Sequence, residues 1–225
     1  MTRESYQRAL STLREAVVAM AELVGERLAT ALSCLEDGDE AAARGVIDGD
    51  EAINARYLDL EAECIDLFAL QQPVASDLRV VTASFKIITD LERIGDLATN
   101  LAAYSRSTTE TILPEIGLQA IGDGVCEMLS MAIDAYAAGD VESCFAIDEY
   151  DDSIDRRCSE ASYEVVRTLL EREHDAAVEE TTEAVLDAAS RLLLTIRDLE
   201  RVGDHAVNVA ARTLYMVEND AELIY

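Results

Sequence analysis

The sequence predicts an all-α protein made of two tandem up-down three-helix bundles related by internal duplication. Three observations carry this expectation. Helix breakers are scarce: Pro73 and Pro114 are the only prolines in 225 residues, beside abundant Ala, Leu, Glu and Arg, all of which favour helix. No stretch alternates apolar and polar residues between turn dipeptides, as a half-buried strand would. The phrase "LERIGDLATN" (91–100) returns as "LERVGDHAVN" (199–208), so the chain repeats itself.

The repeat sets the order of elements. At an offset of 101, Gly38 and Asp39 align with Gly139 and Asp140, Val46 with Ile147, and Asp50, Ile53 and Asn54 with Asp151, Ile154 and Asp155. The doubled phrase recurs at an offset of 108, which places seven extra residues near 171–182. Each unit is about 100 residues, too long for a solenoid repeat and suited to three long helices.

The first helix is expected over about Glu4–Glu36, stopped by Gly38, with Asp39 placed to cap the next. The second runs to about Leu70, where "QQPVASD" interrupts. Pro73 ends the helical bonding there, and Ser76 or Asp77 restarts it. The third continues to about Ser105. Residues 1–108 then form the first bundle and 118–225 the second. The linker, 109–117, lies in a polar stretch carrying Pro114. The remaining helices are expected near 118–138, 141–172 and 178–218.

A formal charge of −28 repels nucleic-acid phosphate and anionic lipid, so neither is expected as a direct partner. Lys86 is the only lysine, against seventeen arginines, and this usage points to a halophilic protein whose charge is screened by salt. Five cysteines (34, 64, 126, 144 and 158) show neither a disulfide framework nor a zinc pattern, which suits a reducing cytoplasm. The N-terminus lacks a signal-peptide core, and no apolar run is long enough to insert in a membrane.

The candidate site comes from carboxylates on apolar stripes. At 100° per residue, Leu78, Val81, Phe85, Ile88, Asp96, Thr99 and Ala103 share the face of Glu92. Glu200 and Asp204 interrupt the corresponding stripe of the last helix, from Leu186 to Leu214. Asp50 and Asn54 face the first pair, and Asp151 and Asp155 the second, each on the preceding helix. Asn100 and Asn208 lie at the stripe edges, and His205 beside the second pair as a rim or interface residue. Carboxylates one turn apart repel unless something bridges them. Arg93 and Arg201 follow the glutamates directly and should face elsewhere. Arginines from another helix could neutralise the acids as an ion-pair layer, or a cation could be held by their oxygens.

His174 gives a single E-x-x-H spacing with Glu171, where a di-iron oxidase needs two on bundle helices. A glycine-rich phosphate loop and a nucleophile–base arrangement are also absent, so the sequence does not read as an enzyme.

The doubled phrase, with "QQPVASDLR" (71–79) before the first copy, resembles the PhoU family of phosphate-uptake regulators. The resemblance covers nearly the whole chain. It implies paired three-helix bundles, often as homodimers, and divalent or trivalent metal ions at the acidic positions. Iron or zinc is favoured, with magnesium or manganese as further candidates. Carried onto this sequence, the ligands are Asp50, Glu92 and Asp96 in the first half and Asp151, Asp155, Glu200 and Asp204 in the second. Asn54 departs from the pattern, because an acid is expected there, and the second half lacks a counterpart of "QQPVASDLR". The implied role is non-enzymatic: negative regulation of phosphate uptake and phosphate-starvation signalling. It is exerted through the ATPase component of the phosphate ABC transporter and its sensor kinase, in the cytoplasm at the inner face of the membrane. Two alternatives stand beside it: an iron-storage or redox bundle, and a purely structural helical adaptor.

Overall fold

In the computed structural model, which describes residues 3–70, 75–105, 116–172 and 182–224, the chain forms two tandem helical bundles. The described residues form seven helices in order: α1 (Arg3–Asp37), α2 (Glu40–Asp48), α3 (Asp50–Leu70), α4 (Ala75–Ser105), α5 (Leu118–Ala138), α6 (Val141–Arg172) and α7 (Thr182–Glu218). There is no strand among the described residues. In α1, Leu10, Leu13, Val17, Met20, Val24, Leu28 and Ala31 recur every three or four positions and are buried, the stripe a bundle helix needs.

The repeated Gly-Asp pair is a turn device. Gly38 takes φ +67° and donates to the Cys34 carbonyl at 3.0 Å, closing α1. Asp39 then accepts from the Ala41 and Ala42 N–H groups at 2.9 and 3.0 Å. In the second half Gly139, at φ +71°, closes α5 in the same way. Asp140 accepts from the Ser143 hydroxyl at 2.7 Å and from the Glu142 and Ser143 N–H groups. These bonds, led by the Ser143 hydroxyl, hold the Asp140 carboxyl below the usual carboxylate range.

The expected second helix is not continuous: it divides at Gly49 into α2 and α3. The Gly49 N–H reaches back to the Gly45 carbonyl at 3.2 Å, while the Ala52 N–H bonds the Gly49 carbonyl only three residues behind it. The reason lies in α1. The Arg27 guanidinium occupies the space that a Cβ on Gly49 would fill, and it donates to the Val46 carbonyl at 3.1 Å. At the 101 offset Met128 and Tyr150 replace Arg27 and Gly49, and α6 runs unbroken. Residues 71–74 with Pro73, 106–115 with Pro114 and most of the linker, and 173–181 with His174 and the expected insertion lie outside the described residues.

The bundles pack against each other through α4 and α7, which run antiparallel. Arg79 meets Met216, Asp90 meets His205 and Asn208, and Tyr104 meets Asp198. One apolar core therefore passes through both halves. Across the same junction, Tyr136 of α5 and Ser84 of α4 place their hydroxyls 2.7 Å apart, both buried. Arg14 of α1 donates to the Tyr136 carbonyl at 3.2 Å and lies over its ring.

Candidate functional site

Around the motif on α4, Leu91, Ile94, Leu97, Ala98 and Leu101 are buried, so the half-buried Glu92 and Asp96 fall at the margin of that face, toward α3. The expected apolar stripe through Glu92 is buried only in part: Val81 and Ile88 are inside, whereas Leu78 is 41% exposed. On α7, Leu186 of the corresponding stripe is 54% exposed, and Glu200 and Asp204 are exposed too. The acids line surface clefts between paired helices rather than a buried layer.

The first cleft joins Asp50 and Asn54 of α3 with Glu92, Asp96 and Thr99 of α4. A Cβ on Gly95 would stand 2.8 Å from Ile53 Cδ1, so this glycine lets α3 approach closely. The Asn54 amide donates to Asp50 Oδ2 at 2.9 Å. The Thr99 hydroxyl lies 3.3 Å from Asp50 Oδ1, sharing its proton with the Gly95 carbonyl at 3.2 Å. Contrary to expectation, Arg93 bends back along its own helix. Its Nε is 3.5 Å from Glu92 Oε2 and its Nη1 3.3 Å from Asp96 Oδ2. A guanidinium on a long flexible stem can reach positions that Cβ directions alone exclude. Burial raises the Glu92 carboxyl above its ordinary range, with Asp96 and Asp50 adding to it and Arg93 opposing.

The second cleft joins Asp151 and Asp155 of α6 with Glu200 and Asp204 of α7. Here the glycine equivalent to Gly95 makes room for a carboxylate: a Cβ on Gly203 would be 2.8 Å from Asp151 Oδ1. Asp151 Oδ1 and Asp155 Oδ1 are buried and accept no hydrogen bond among the described residues. Burial, then the charges of Asp155 and Asp204, push the Asp151 carboxyl up to about 7. Asp155 and Glu200 are raised as well, by burial first and by their acidic neighbours second. Beneath them the buried Cys158 thiol is pushed up to about 12 by burial and by the four carboxylates. Arg201 gives no relief, because it turns toward Asp198 at 3.9 Å.

His205 and Asn208 serve the interface. His205 Nδ1 lies 2.9 Å from Asp90 Oδ1, and the Asn208 amide donates to the same oxygen at 3.2 Å. Asn100 is exposed at the outer end of the first cleft. Sequence reasoning passed over Asp90 and its equivalent Asp198, which stand immediately before the two copies of the phrase. Asp198 is fully buried, receives the Tyr104 hydroxyl at 2.9 Å, and pairs with Arg197 at 2.8 Å. The two aspartates therefore bond across the α4–α7 junction. Extending the repeat by one residue upstream would have singled them out.

Among the described residues, no group of three or more Asp, Glu, His or Cys side chains stands arranged to hold a metal ion. Four carboxylates nonetheless line the second cleft. Carboxylate oxygens are donors that suit hard and borderline ions, and two buried oxygens there accept no hydrogen bond among the described residues.

The PhoU domain family matches the chain twice, over residues 17–105 and 118–213. A Pseudomonas putida protein named phosphate-specific transport system accessory protein PhoU homolog is 31% identical over 217 residues, covering 95% of this chain and 81% of its own length. A Thermotoga maritima protein, named PhoU homolog 1 of the same system, is 31% identical, covering 94% of this chain and 88% of its own. The crystal structure of PhoU from Pseudomonas aeruginosa superposes with a TM-score of 0.86 at 30% identity, over 96% of this chain and all of that one. That of the phosphate transport system regulatory protein PhoU from Streptococcus pneumoniae gives 0.86 at 26%, over 96% and 98%. With both halves matched and the same tandem bundle in its relatives, the chain belongs to the PhoU family.

Proposed function

We propose that this protein is a brake on phosphate uptake and on the phosphate-starvation response. It acts at the inner face of the membrane on the ATPase component of a phosphate ABC transporter and on a sensor kinase coupled to it. The observation that carries the reading is membership of a family of accessory and regulatory proteins, not enzymes, through both halves of the chain. The charge supports a protein partner: at −28 the surface repels DNA, and no described helix is long and apolar enough to cross a membrane. Self-association into a homodimer belongs to the same reading and is read by sedimentation.

Metal binding is the second part of the proposal. Asp151, Asp155, Glu200 and Asp204 would hold a divalent or trivalent ion, iron or zinc first, then magnesium or manganese. The ion would supply positive charge where four carboxylates meet, holding α6 to α7. Asp50, Glu92 and Asp96 offer the first cleft fewer acids. Deleting the gene should raise phosphate uptake in phosphate-replete cells, and tagged protein should retain the transporter ATPase from detergent-solubilised membranes. Unchanged uptake together with unchanged transporter expression would refute the regulatory reading.

A further inference from the structure

We infer that the two copies of the acidic motif have diverged into unequal sites: the second cleft holds the protein's tightly bound cation, while the first is closed by its own hydrogen bonds and holds none. This rests on the reading of these carboxylates as metal ligands and sharpens it, because the duplication alone would give two equivalent sites.

Every donor that quiets the first cleft is missing from the second. Asn54, whose amide donates to Asp50 at 2.9 Å, is replaced by Asp155 at the 101 offset. Thr99, whose hydroxyl reaches Asp50 at 3.3 Å, is replaced by Val207 at the 108 offset, a side chain with no proton to offer. Arg93 pairs with Glu92 and Asp96, whereas its equivalent Arg201 leaves the cleft for Asp198. Three carboxylates thus meet an amide, a hydroxyl and a guanidinium in the first half. Four meet no such donor among the described residues in the second.

The glycines repeat the contrast. Gly95 opens space for an apolar side chain, Ile53, and Gly203 opens equivalent space for the Asp151 carboxylate. Helix approach in the first half therefore serves packing, and in the second it brings a charged oxygen in against α7. A buried carboxylate oxygen without a donor is stabilised by a proton or by a cation. With four acids in one cleft, a multivalent ion satisfies several oxygens at once, which one proton cannot do.

The test is titration of chelator-stripped protein with Mn2+ in molar KCl, where loose counter-ion binding is screened. Free Mn2+ is read by electron paramagnetic resonance, and helicity of each variant by circular dichroism. Wild type should take up about one tight ion per chain. Asp151→Asn/Asp155→Asn should weaken it by roughly ten- to a hundred-fold or more, and Asp50→Asn should leave it unchanged. Glu200→Gln/Asp204→Asn, on the exposed side of the cleft, makes the same test if the first pair does not fold. Asn54→Asp/Thr99→Val should add a second tight ion. Absence of any tight ion in wild type overturns the metal reading itself. Two tight ions, loss of the tight ion in Asp50→Asn, or retention in both second-cleft variants overturns the inequality while leaving the metal reading standing. Failure of Asn54→Asp/Thr99→Val to gain an ion overturns the role given to those two donors.

Discussion

Replacing Asp151 by Asn in metal-free protein should stabilise the fold, and the gain should grow with pH. In the folded chain this carboxyl is pushed up to about 7 from an ordinary value of 3.8, because burial and the acids of its own helix (Asp155, Asp148, Asp152) and of α7 (Asp204) all disfavour its charge. Between those values the native state binds more protons than the unfolded chain, so stability falls as pH rises through the window. Above about pH 7 the penalty is fully present, and below about pH 4 it vanishes. A rise of that size corresponds to about 4 kcal/mol for a fully shielded group. The side chain is only partly buried, so screening by solvent reduces this to about 2 kcal/mol. The amide has the same shape, lacks the charge, and can donate to the neighbouring carboxylates. Melts followed by circular dichroism, with chelator, should show Asp151→Asn about 4–8 °C above wild type near pH 8, with the curves converging near pH 4. A variant no more stable than wild type at pH 8, or a wild type whose stability does not fall between pH 5 and 7, would refute the reasoning. Saturating metal should reverse the order, because the variant loses a ligand that favours the native state.

Other sites yield sharper structural tests. Ser84→Ala strands the buried Tyr136 hydroxyl and should cost about 1–3 kcal/mol in urea unfolding, most of it recovered in Ser84→Ala/Tyr136→Phe. Tyr104→Phe removes a donor from the fully buried Asp198 and should cost about 2 kcal/mol, measured the same way. Asp39→Ala uncaps α2 and should lower stability by about 1 kcal/mol. Iodoacetamide applied to folded protein should label Cys126 alone among the cysteines. It is the only one not buried, and it reacts slowly because burial pushes its thiol up to about 11. Peptide mass spectrometry reads this, and native labelling of Cys158 would contradict the burial described for it.

Much of the fold was legible because helix formation is local. The Gly-Asp turns, the limits of α1, α5 and α6, and the apolar spacing of α1 all follow from contacts within about one turn of the chain. The duplication then made the acidic positions stand out in pairs, and the folded chain brings Asp50 to Glu92 and Asp151 to Asp204. The break at Gly49 was not legible, because its cause is Arg27 on a different helix. Nor was the return of Arg93 onto Glu92, since Cβ directions do not reveal where a long side chain ends.

The sequence by itself therefore determined an all-helical, duplicated chain with two matched acidic motifs and an acidic surface, properties written in composition and short-range spacing. Only the tertiary structure decided that the acids sit on cleft rims, that Asp90 and Asp198 bond across α4 and α7, and that one cleft is satisfied while the other is not. The physical reason is that partner choice depends on the rotation and axial offset of neighbouring helices. Those are set by packing at small residues such as Gly95 and Gly203, each beside one acid of its cleft and far along the chain from the residue it admits, Ile53 or Asp151.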